Sequence, residues 1–590
     1  MQLTAPDWTI IVLYFVIALG IGLAFRKRAG KNLTEYFISG RSLPWWLAGT
    51  SMVATTFAAD TPLAVTGLVA KHGLAGNWFW WSFALGGMVT VFVYARFWRR
   101  TAVLTDVELV EIRYGGKPAA FLRGFRAIYI SVLVNAIIMG WVTGAMVTVL
   151  KNTVFSGVEE TANQDWLMIA VLLAIVGIYA TLSGLWGVVV TDFVQFLMAM
   201  TGSIILAFVA VKHLGGIDAM REQVSSQFGS DQAFRFLPDF SGADPWMPLG
   251  LFLTYLFVQW WASWYPGAEP GGGGYIVQRM ASAKDEKHSM LATLWFQIAH
   301  YCVRPWPWII VAFSALAMYP GLGASDNPGA GFPMVIRDLA PAGVRGLLLV
   351  AFFAAFMSTI STQLNWGASY LVSDFYKRFI RPDADDRHLT TASRIASVGM
   401  LILGGFAAWF MKDTSVDDAW KFLAALGAGT GAVFMARWFW WRINAWSEIV
   451  AMVASLLSYL LVRNFIDQEE YRLAVVGVIT MASWLAATWL TRPEDEAVLR
   501  RFFSVVRPGG PGWKPIAEAM PEVKRDKDLG ISIAAALLAS GIVYLTLPGV
   551  GLVIFGSYGK ATLCLLGAAA CGVGVKVLMD RLTWEETPGQ

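Results

Sequence analysis

The chain has 590 residues, of which 56% are hydrophobic and 15% are charged, and its net charge at pH 7 is +4. Soluble domains carry roughly 25% charged residues, and a soluble chain of this length divides into domains joined by polar linkers. Apolar runs long enough to cross a bilayer recur here from end to end. The composition excludes a soluble enzyme, a secreted disulfide scaffold, a disordered hub and a nucleic-acid-binding module, and it indicates a polytopic membrane protein.

The first apolar run, residues 8–25, indicates how the chain enters the membrane. Asp7 precedes this run and the basic stretch 26–28 follows it, whereas a cleaved signal peptide has its basic residues before the apolar core. Because Lys and Arg are enriched on the cytoplasmic side, the run predicts a first membrane helix with the N-terminus outside. We expect the inner membrane of a bacterial cell, with the C-terminus in the cytoplasm.

Hydropathy predicts about fifteen spans of ~20 residues each. In chain order the predicted spans are 8–25, 44–69, 77–96, 124–150, 166–183, 187–212, 246–265, 290–318, 340–375, 393–412, 419–440, 445–463, 471–491, 529–547 and 552–578. With the N-terminus outside, most of the 45 Lys and Arg residues fall on the cytoplasmic side, as the positive-inside rule requires.

Two predicted spans contain residues that interrupt a helix. The second has Asp60 and Pro62 in its middle, and the seventh runs into the proline- and glycine-rich segment 265–274. Backbone groups freed by such breaks are tolerated at membrane depth only against protein or a water-filled cavity. With the first helix set aside, these spans become helices one and six of a ten-helix core, and matched interruptions in two halves indicate a transporter binding site. Taken singly, Pro62 could be a packing kink and the glycine run a cytoplasmic loop.

The ninth predicted span carries more polar side chains than helix packing needs. They are Ser358, Thr359, Ser361, Thr362, Gln363 and Asn365. Two adjacent hydroxyls at 358 and 359, with the carbonyl of Ala355 one turn earlier, offer uncharged oxygens that suit a monovalent hard cation such as Na+. The alternative is that the hydroxyls bond back to carbonyls of their own helix.

Four stretches together resemble the solute:sodium symporter family over roughly residues 8–463. Residues 36–46, YFISGRSLPWW, resemble the signature before the family's first core helix, and residues 354–364, AAFMSTISTQL, resemble its eighth, closest to the proline-transporter branch. Residues 184–195, GLWGVVVTDFVQ, are similar to the start of the fifth core helix, and residues 275–279, YIVQR, to the end of the sixth.

The resemblance implies an all-α, leucine-transporter-type fold, in which two five-helix halves form an inverted repeat. It divides the chain into an extra N-terminal helix with its linker (1–43), a ten-helix core (44–442) and additional C-terminal helices (443–590).

The resemblance also implies a sodium site between core helices one and eight. Carried over by position, the ligands are the carbonyls of Ala54, Phe57 and Ala355 and the hydroxyls of Ser358 and Thr359. Asp192 matches an aspartate that the family associates with the sodium exit route, and the alternative for it is a solvated, snorkelling side chain.

Candidate substrate residues lie near the same break. Thr56 and Asp60 fall where family members place substrate-contacting groups. His300 is the nearest match to a substrate-side lysine of the sugar transporters, and Arg304 lies one turn further on the same face. Glycines stand where the sugar branch has an asparagine, so the sequence departs from the sugar pattern.

Arg304, near mid-membrane, needs a partner. This partner is either Glu269 or Asp60 in a structural ion pair, or a carboxylate of the substrate. Glu269 could equally lie solvated in the cytoplasmic vestibule. Tyr275 could stack on the substrate or close the inner side.

These patterns predict a secondary transporter that couples Na+ to a small polar organic solute by alternating access. The solute could be a sugar or polyol, an amino acid or a carboxylate, and the other partners are sodium and the bilayer. No Ser-His-Asp set or carboxylate pair indicates an enzyme. A proton-coupled transporter that uses Asp60 or Asp192 and a non-transporting sensor of the same fold are the alternatives.

Overall fold

The computed structural model describes residues 2–29, 31–158, 161–228, 231–241, 246–257, 271–411, 420 and 427–584. Over these residues the protein is helical, and its one β-type contact is an isolated bridge between Leu43 and Ala283. The main helices are α1 (Ala5–Ala29), α2 (Trp45–Thr56), α3 (Asp60–His72), α4 (Leu74–Thr101), α5 (Gly116–Asn152), α6 (Ala162–His213), α7 (Ile217–Phe228), α8 (Leu249–Phe257), α9 (Gly274–Ser282), α10 (Glu286–Met318), α11 (Val344–Ile380), α12 (Asp386–Phe410), α13 (Thr430–Phe439), α14 (Ala445–Val462), α15 (Glu469–Leu490), α16 (Glu496–Val506), α17 (Leu529–Ile554) and α18 (Tyr558–Met579).

Eleven helices in the described part of the chain are long and apolar enough to cross a membrane. They are α1, α4, α5, the second half of α6, α10, α11, α12, α14, α15, α17 and α18. The bent pair α2–α3 and the shorter apolar helix Asn163–Ile178 match two further predicted spans. The predicted spans 246–265 and 419–440 lie partly outside the described residues, which include only α8 and α13 from these regions.

The predicted interruption of the second span is a bend of 58° between α2 and α3. At the bend the backbone N–H of Phe57 donates to the carbonyls of Val53 and Ala54 at 2.9 and 3.0 Å. Pro62 lies in the first turn of α3, where its missing N–H would have no helical partner. The proline therefore belongs to the start of a new helix, and the alternative of a kink within one continuous helix is wrong.

The predicted boundary between the fifth and sixth spans falls at Gly184. This glycine interrupts α6 with φ 56° and ψ −172°, a conformation that is open to glycine because it has no Cβ.

The spans differ in how much of their surface is buried, so that α11 lies at the centre of the bundle and α18 at its rim. In the apolar window of α11, 89% of the residues are buried inside the protein, against 11% for α18. Gly49 lets α2 approach α10 closely, because a Cβ there would collide with the Ala292 carbonyl. Since polar groups are costly in lipid, the polar residues of α2, α10 and α11 are sheltered in the middle of the protein.

Candidate functional site

The break after α2 meets α11 through backbone and hydroxyl oxygens. Thr359 Oγ1 donates to the Thr55 carbonyl at 2.9 Å and to the Ala355 carbonyl at 3.1 Å. The Ala54 carbonyl lies at the same helix end and accepts from the N–H of Phe57. The structure therefore joins α11 to the end of α2 through Thr55, the neighbour of the predicted ligand Ala54, and the assignment of the predicted ligands to sodium stays a prediction.

Asp192 of α6 joins this junction from a third direction. The hydroxyls of Ser51 and Ser358 each donate to its carboxylate at 2.5 Å, and the residue is fully buried. The alternative of a solvated, snorkelling Asp192 is therefore wrong.

Arg279 of α9 is a polar neighbour that the sequence did not single out. Its guanidinium is fully buried, lies 3.8 Å from Asp192 Oδ2, and donates to Ser51 Oγ at 3.2 Å and Thr362 Oγ1 at 2.8 Å. The resemblance placed this arginine at the end of the sixth core helix, and the structure adds that its side chain is buried, because the chain after the glycine run turns back into the protein. The only sequence signal for the burial of Arg279 is that this cation stands between two hydrophobic stretches.

The polar side chains of α11 serve different purposes. Thr362 Oγ1 lies 3.2 Å from Thr55 Oγ1, and Asn365 accepts from Gln278 Nε2 at 2.8 Å. Ser361, by contrast, donates to the Ser358 carbonyl of its own helix at 3.1 Å. Bonding back to the helix thus accounts for Ser361, whereas Thr362 and Asn365 bond to side chains of other helices.

A second cluster lies beside the break and contains three predicted substrate residues, Thr56, His300 and Arg304. Arg304 Nη1 donates to Thr56 Oγ1 at 3.0 Å and Nη2 to His300 Nδ1 at 2.6 Å. Because a guanidinium can only donate, the His300 ring accepts from Arg304 Nη2, which lies 2.6 Å from Nδ1 and 3.2 Å from Nε2. The guanidinium also lies 5.2 Å from the centre of the Trp308 ring, a distance at which a cation is attracted to an aromatic face.

Asp60, the first residue of α3, is almost fully buried at 3% exposure. Its side chain interacts with the indoles of Trp141 and Trp420 and lies within electrostatic range of Arg304. The hydrogen bonds that the structure gives Arg304 go to Thr56, His300 and main-chain carbonyls, so the expected direct pair with Asp60 is not formed. Asp60 Oδ1 has no hydrogen-bond partner among the described residues.

Aromatic rings surround this second cluster. The ring centroids of Phe57 and Trp308 are 4.6 Å apart, and the Trp80 ring lies 5.5 Å from His300 and 5.6 Å from Tyr301. A few converging polar groups within aromatic walls are typical of a small-molecule site.

The glycine run is enclosed where the structure describes it. Gly271 and Gly272 are buried and have φ values of +81° and +82°. The Trp98 indole donates to the Gly271 carbonyl, and Tyr275 is fully buried. The alternative of an open cytoplasmic loop is therefore wrong for residues 271–275, and Glu269 lies outside the described residues.

Comparisons with known proteins agree with this architecture. A family model described as the sodium:solute symporter family matches residues 36–487. The sodium/glucose cotransporter of Vibrio parahaemolyticus is 26% identical over 507 residues, which cover 80% of this chain and 89% of that protein. Sodium/glucose cotransporter 1 of Oryctolagus cuniculus is 26% identical over 489 residues, which cover 75% of this chain and 69% of that protein.

The fold has a solved counterpart. A substrate-bound, outward-open Na+-coupled sialic acid symporter matches with a TM-score of 0.66 at 21% identity, covering 84% of this chain and 100% of that one. The protein is thus a polytopic membrane protein with the leucine-transporter-type fold. It belongs to the sodium:solute symporter family, a family of transporters for which sodium is the coupling ion.

Proposed function

We propose that the protein takes up a small polar organic solute together with Na+ by alternating access. The observation that carries the proposal is the 2.9 Å contact between Thr359 Oγ1 of α11 and the Thr55 carbonyl at the end of broken helix α2. Uncharged oxygens from two helices meet there, and such oxygens suit a monovalent hard cation.

The proposed sodium ligands are carbonyl and hydroxyl oxygens of the two helices, namely those of Ala54, Phe57, Ala355, Ser358 and Thr359. The Ser358 hydroxyl donates its proton to Asp192, and the Thr359 hydroxyl donates to backbone carbonyls. Each hydroxyl oxygen therefore keeps lone pairs that a cation can use. The Asp192 carboxylate lies directly behind this shell and would attract the ion on its way to the cytoplasm.

The proposed solute site is the cluster on the other side of the break. The cationic guanidinium of Arg304 would attract a carboxylate or hydroxyl group, and Asp60 Oδ1, which has no hydrogen-bond partner among the described residues, can accept from a hydroxyl or ammonium group. Thr56 and His300 hold the guanidinium in place. Tyr275 would stack on the solute or close the inner side, and Glu269, which lies outside the described residues, is kept as a candidate substrate residue.

Two consecutive residues of α2 connect the two sites. The Thr55 carbonyl contacts α11, and the Thr56 hydroxyl contacts Arg304 of α10. A cation that fixes the end of α2 would therefore also position the solute-binding side chain next to it. By linkage each ligand would raise the affinity for the other, typically by about 1–3 kcal/mol, and the membrane potential adds about 2.3 kcal/mol per charge per 100 mV.

The test is solute counterflow in proteoliposomes of the purified protein. A thermal-shift screen of sugars, polyols, amino acids and carboxylates, with and without Na+, first identifies the solute. Counterflow should then require Na+ and fail when choline replaces it. Equal counterflow in choline would refute sodium coupling.

Two alternatives give different results in the same assay. A proton-coupled transporter that uses Asp60 or Asp192 would run on a pH gradient without Na+. A non-transporting sensor would bind the solute in the thermal-shift screen and show no counterflow.

We also propose the membrane in which the protein lies, its orientation there and the division of its chain into segments. The proposed location is a bacterial inner membrane, and the charge bias of the loops supports the orientation with the N-terminus outside and the C-terminus in the cytoplasm. The three segments are the N-terminal helix and linker (1–43), the ten-helix core (44–442) and the additional helices (443–590). Reporter fusions at the two ends test the orientation.

A further inference from the structure

We propose that the start of α5 carries a binding site for an anionic phospholipid, on the membrane side that the charge bias makes cytoplasmic. A cavity of about 580 Å³ opens there, and its charged lining residues are Lys117, Arg378, Arg501 and Glu111. Three cations around one carboxylate leave an excess of positive charge. This proposal does not depend on what the protein transports.

The acidic side chains Glu111 and Asp374 near the cavity are paired with arginines. Arg378 Nη2 and Arg123 Nη1 lie 2.9 and 2.7 Å from the Glu111 carboxylate, and Arg123 also pairs with Asp374 at 2.7 Å. Two arginines therefore balance these two carboxylates, and a third carboxylate, Glu494, accepts from the backbone N–H groups of Gly115 and Ala445 and lies within electrostatic range of Arg113.

Lys117 and Arg501 supply the uncompensated charge. Within the described residues neither forms an ion pair, and the Arg501 guanidinium donates to the backbone carbonyl of Glu111 at 2.8 Å. Both side chains are exposed, so they are available to an anion from outside the protein.

An aromatic strip continues from the cations into the membrane. Lys117, Phe121 and Phe125 are spaced by four residues and share one face of α5. Phe121 is 61% exposed and Phe125 43% exposed, and their rings stack with centroids 6.1 Å apart. Phe379 of α11 is 41% exposed and lies beside this strip, against Gly124.

This arrangement matches the two parts of a phospholipid. A phosphate diester at the cavity would meet Lys117 and Arg501, and its acyl chains would cover the aromatic strip. Basic pockets at the cytoplasmic ends of membrane helices bind acidic headgroups in this way, whereas a soluble anion would leave the strip unused. Arg501 follows the segment that the family model matches, residues 36–487, so the lipid would join the core to the C-terminal part of the chain.

The test measures binding of phosphatidylglycerol and phosphatidylcholine to the full-length protein in detergent by native mass spectrometry. The double variant Lys117→Gln/Arg501→Gln should bind phosphatidylglycerol roughly 30-fold more weakly, since each cation contributes a factor of about five. The control Arg500→Gln/Lys514→Gln removes equal charge from exposed i,i+4 ion pairs and should stay within threefold of the wild type. Equal loss in the control, or no preference for phosphatidylglycerol, would overturn the site.

A second pair of variants distinguishes a site for a lipid from a site for a soluble anion. Phe121→Ala should weaken phosphatidylglycerol binding, and Phe410→Ala, at an 81% exposed lipid-facing position of α12, should not. Inorganic phosphate at millimolar concentration should leave the lipid bound. Displacement by phosphate together with an unaffected Phe121→Ala would identify a soluble-anion site and contradict the proposal. Unchanged melting temperatures for all variants show that each one is folded.

Discussion

Asp192 and Arg279 form a fully buried pair, with Arg279 Nη2 3.8 Å from Asp192 Oδ2 and the Ser51 hydroxyl hydrogen-bonded to both. The pair joins α6 to α9 beside the proposed sodium ligands. Arg279 offsets part of the charge of Asp192, and the Asp192 carboxylate positions the hydroxyls of Ser51 and Ser358.

Breaking this pair should be strongly destabilising. Arg279→Gln leaves the Asp192 charge buried without a cationic partner, which typically costs about 3–5 kcal/mol. The double variant Arg279→Gln/Asp192→Asn should be more stable than Arg279→Gln alone, because it removes the orphaned charge. Thermal unfolding of the purified protein measures both effects. A suitable control is Arg337→Gln, whose ion pair with Asp338 is partly exposed and should contribute under about 1 kcal/mol; equal losses at the two arginines would contradict this account.

Removing a proposed sodium ligand should raise the sodium requirement without unfolding the protein. Ser358→Ala and Thr359→Ala each delete one oxygen, and we expect the Na+ concentration for half-maximal uptake to rise roughly tenfold, which corresponds to a loss of about 1.4 kcal/mol. Ser369→Ala on the same helix is the matched control, since its buried hydroxyl bonds to the Trp366 carbonyl. A similar rise in the control would show that the loss of any hydroxyl from α11 has this effect.

Arg304 should affect solute binding and leave sodium binding unchanged. Arg304→Gln removes the guanidinium that bonds Thr56 and His300, so the apparent solute affinity should fall tenfold or more, as expected for a charged hydrogen bond of about 1.5–3 kcal/mol. The thermal shift caused by Na+ alone should change less than twofold. If both ligands are affected equally, the two clusters are not separate sites.

Gly272 should be intolerant of a side chain for two separable reasons. Its φ of +82° is unfavourable for alanine, and a Cβ would lie 2.7 Å from Met280 Cε and 3.3 Å from Thr90 Cγ2. Gly321 has φ +86° with nothing within 4 Å, so Gly321→Ala isolates the backbone strain of about 1–2 kcal/mol. We expect Gly272→Ala to lower the melting temperature more than Gly321→Ala does. Equal decreases would show that packing around the glycine run is loose.

The helix breaks could be predicted from the sequence because they depend on local chemistry. The bend between α2 and α3 and the interruption at Gly184 both follow from proline, glycine and small polar residues in apolar runs. The approach of Thr359 to α2 followed from the family resemblance. The two breaks are each carried by a single segment, so one sequence was sufficient to locate them.

The partners of buried charges could not be predicted in the same way. Arg279 follows a glycine run and precedes two lysines, a pattern that is typical of a solvated loop. Its burial depends on how α9 returns beneath α2 and α11, which no local pattern records. For the same reason the sequence could not distinguish Ser361, which bonds within its helix, from Thr362, which bonds to Arg279.

The most direct test of the central claim is the melting temperature of the purified protein as Na+ replaces choline at constant ionic strength. A cation held at the junction of α2 and α11 stabilises the folded state by about 2.7 kcal/mol at a concentration one hundred times its Kd. The account predicts a saturable stabilisation by Na+ in the wild type that is lost in Thr359→Ala and kept in Ser369→Ala. Identical melting curves in Na+ and choline would contradict it.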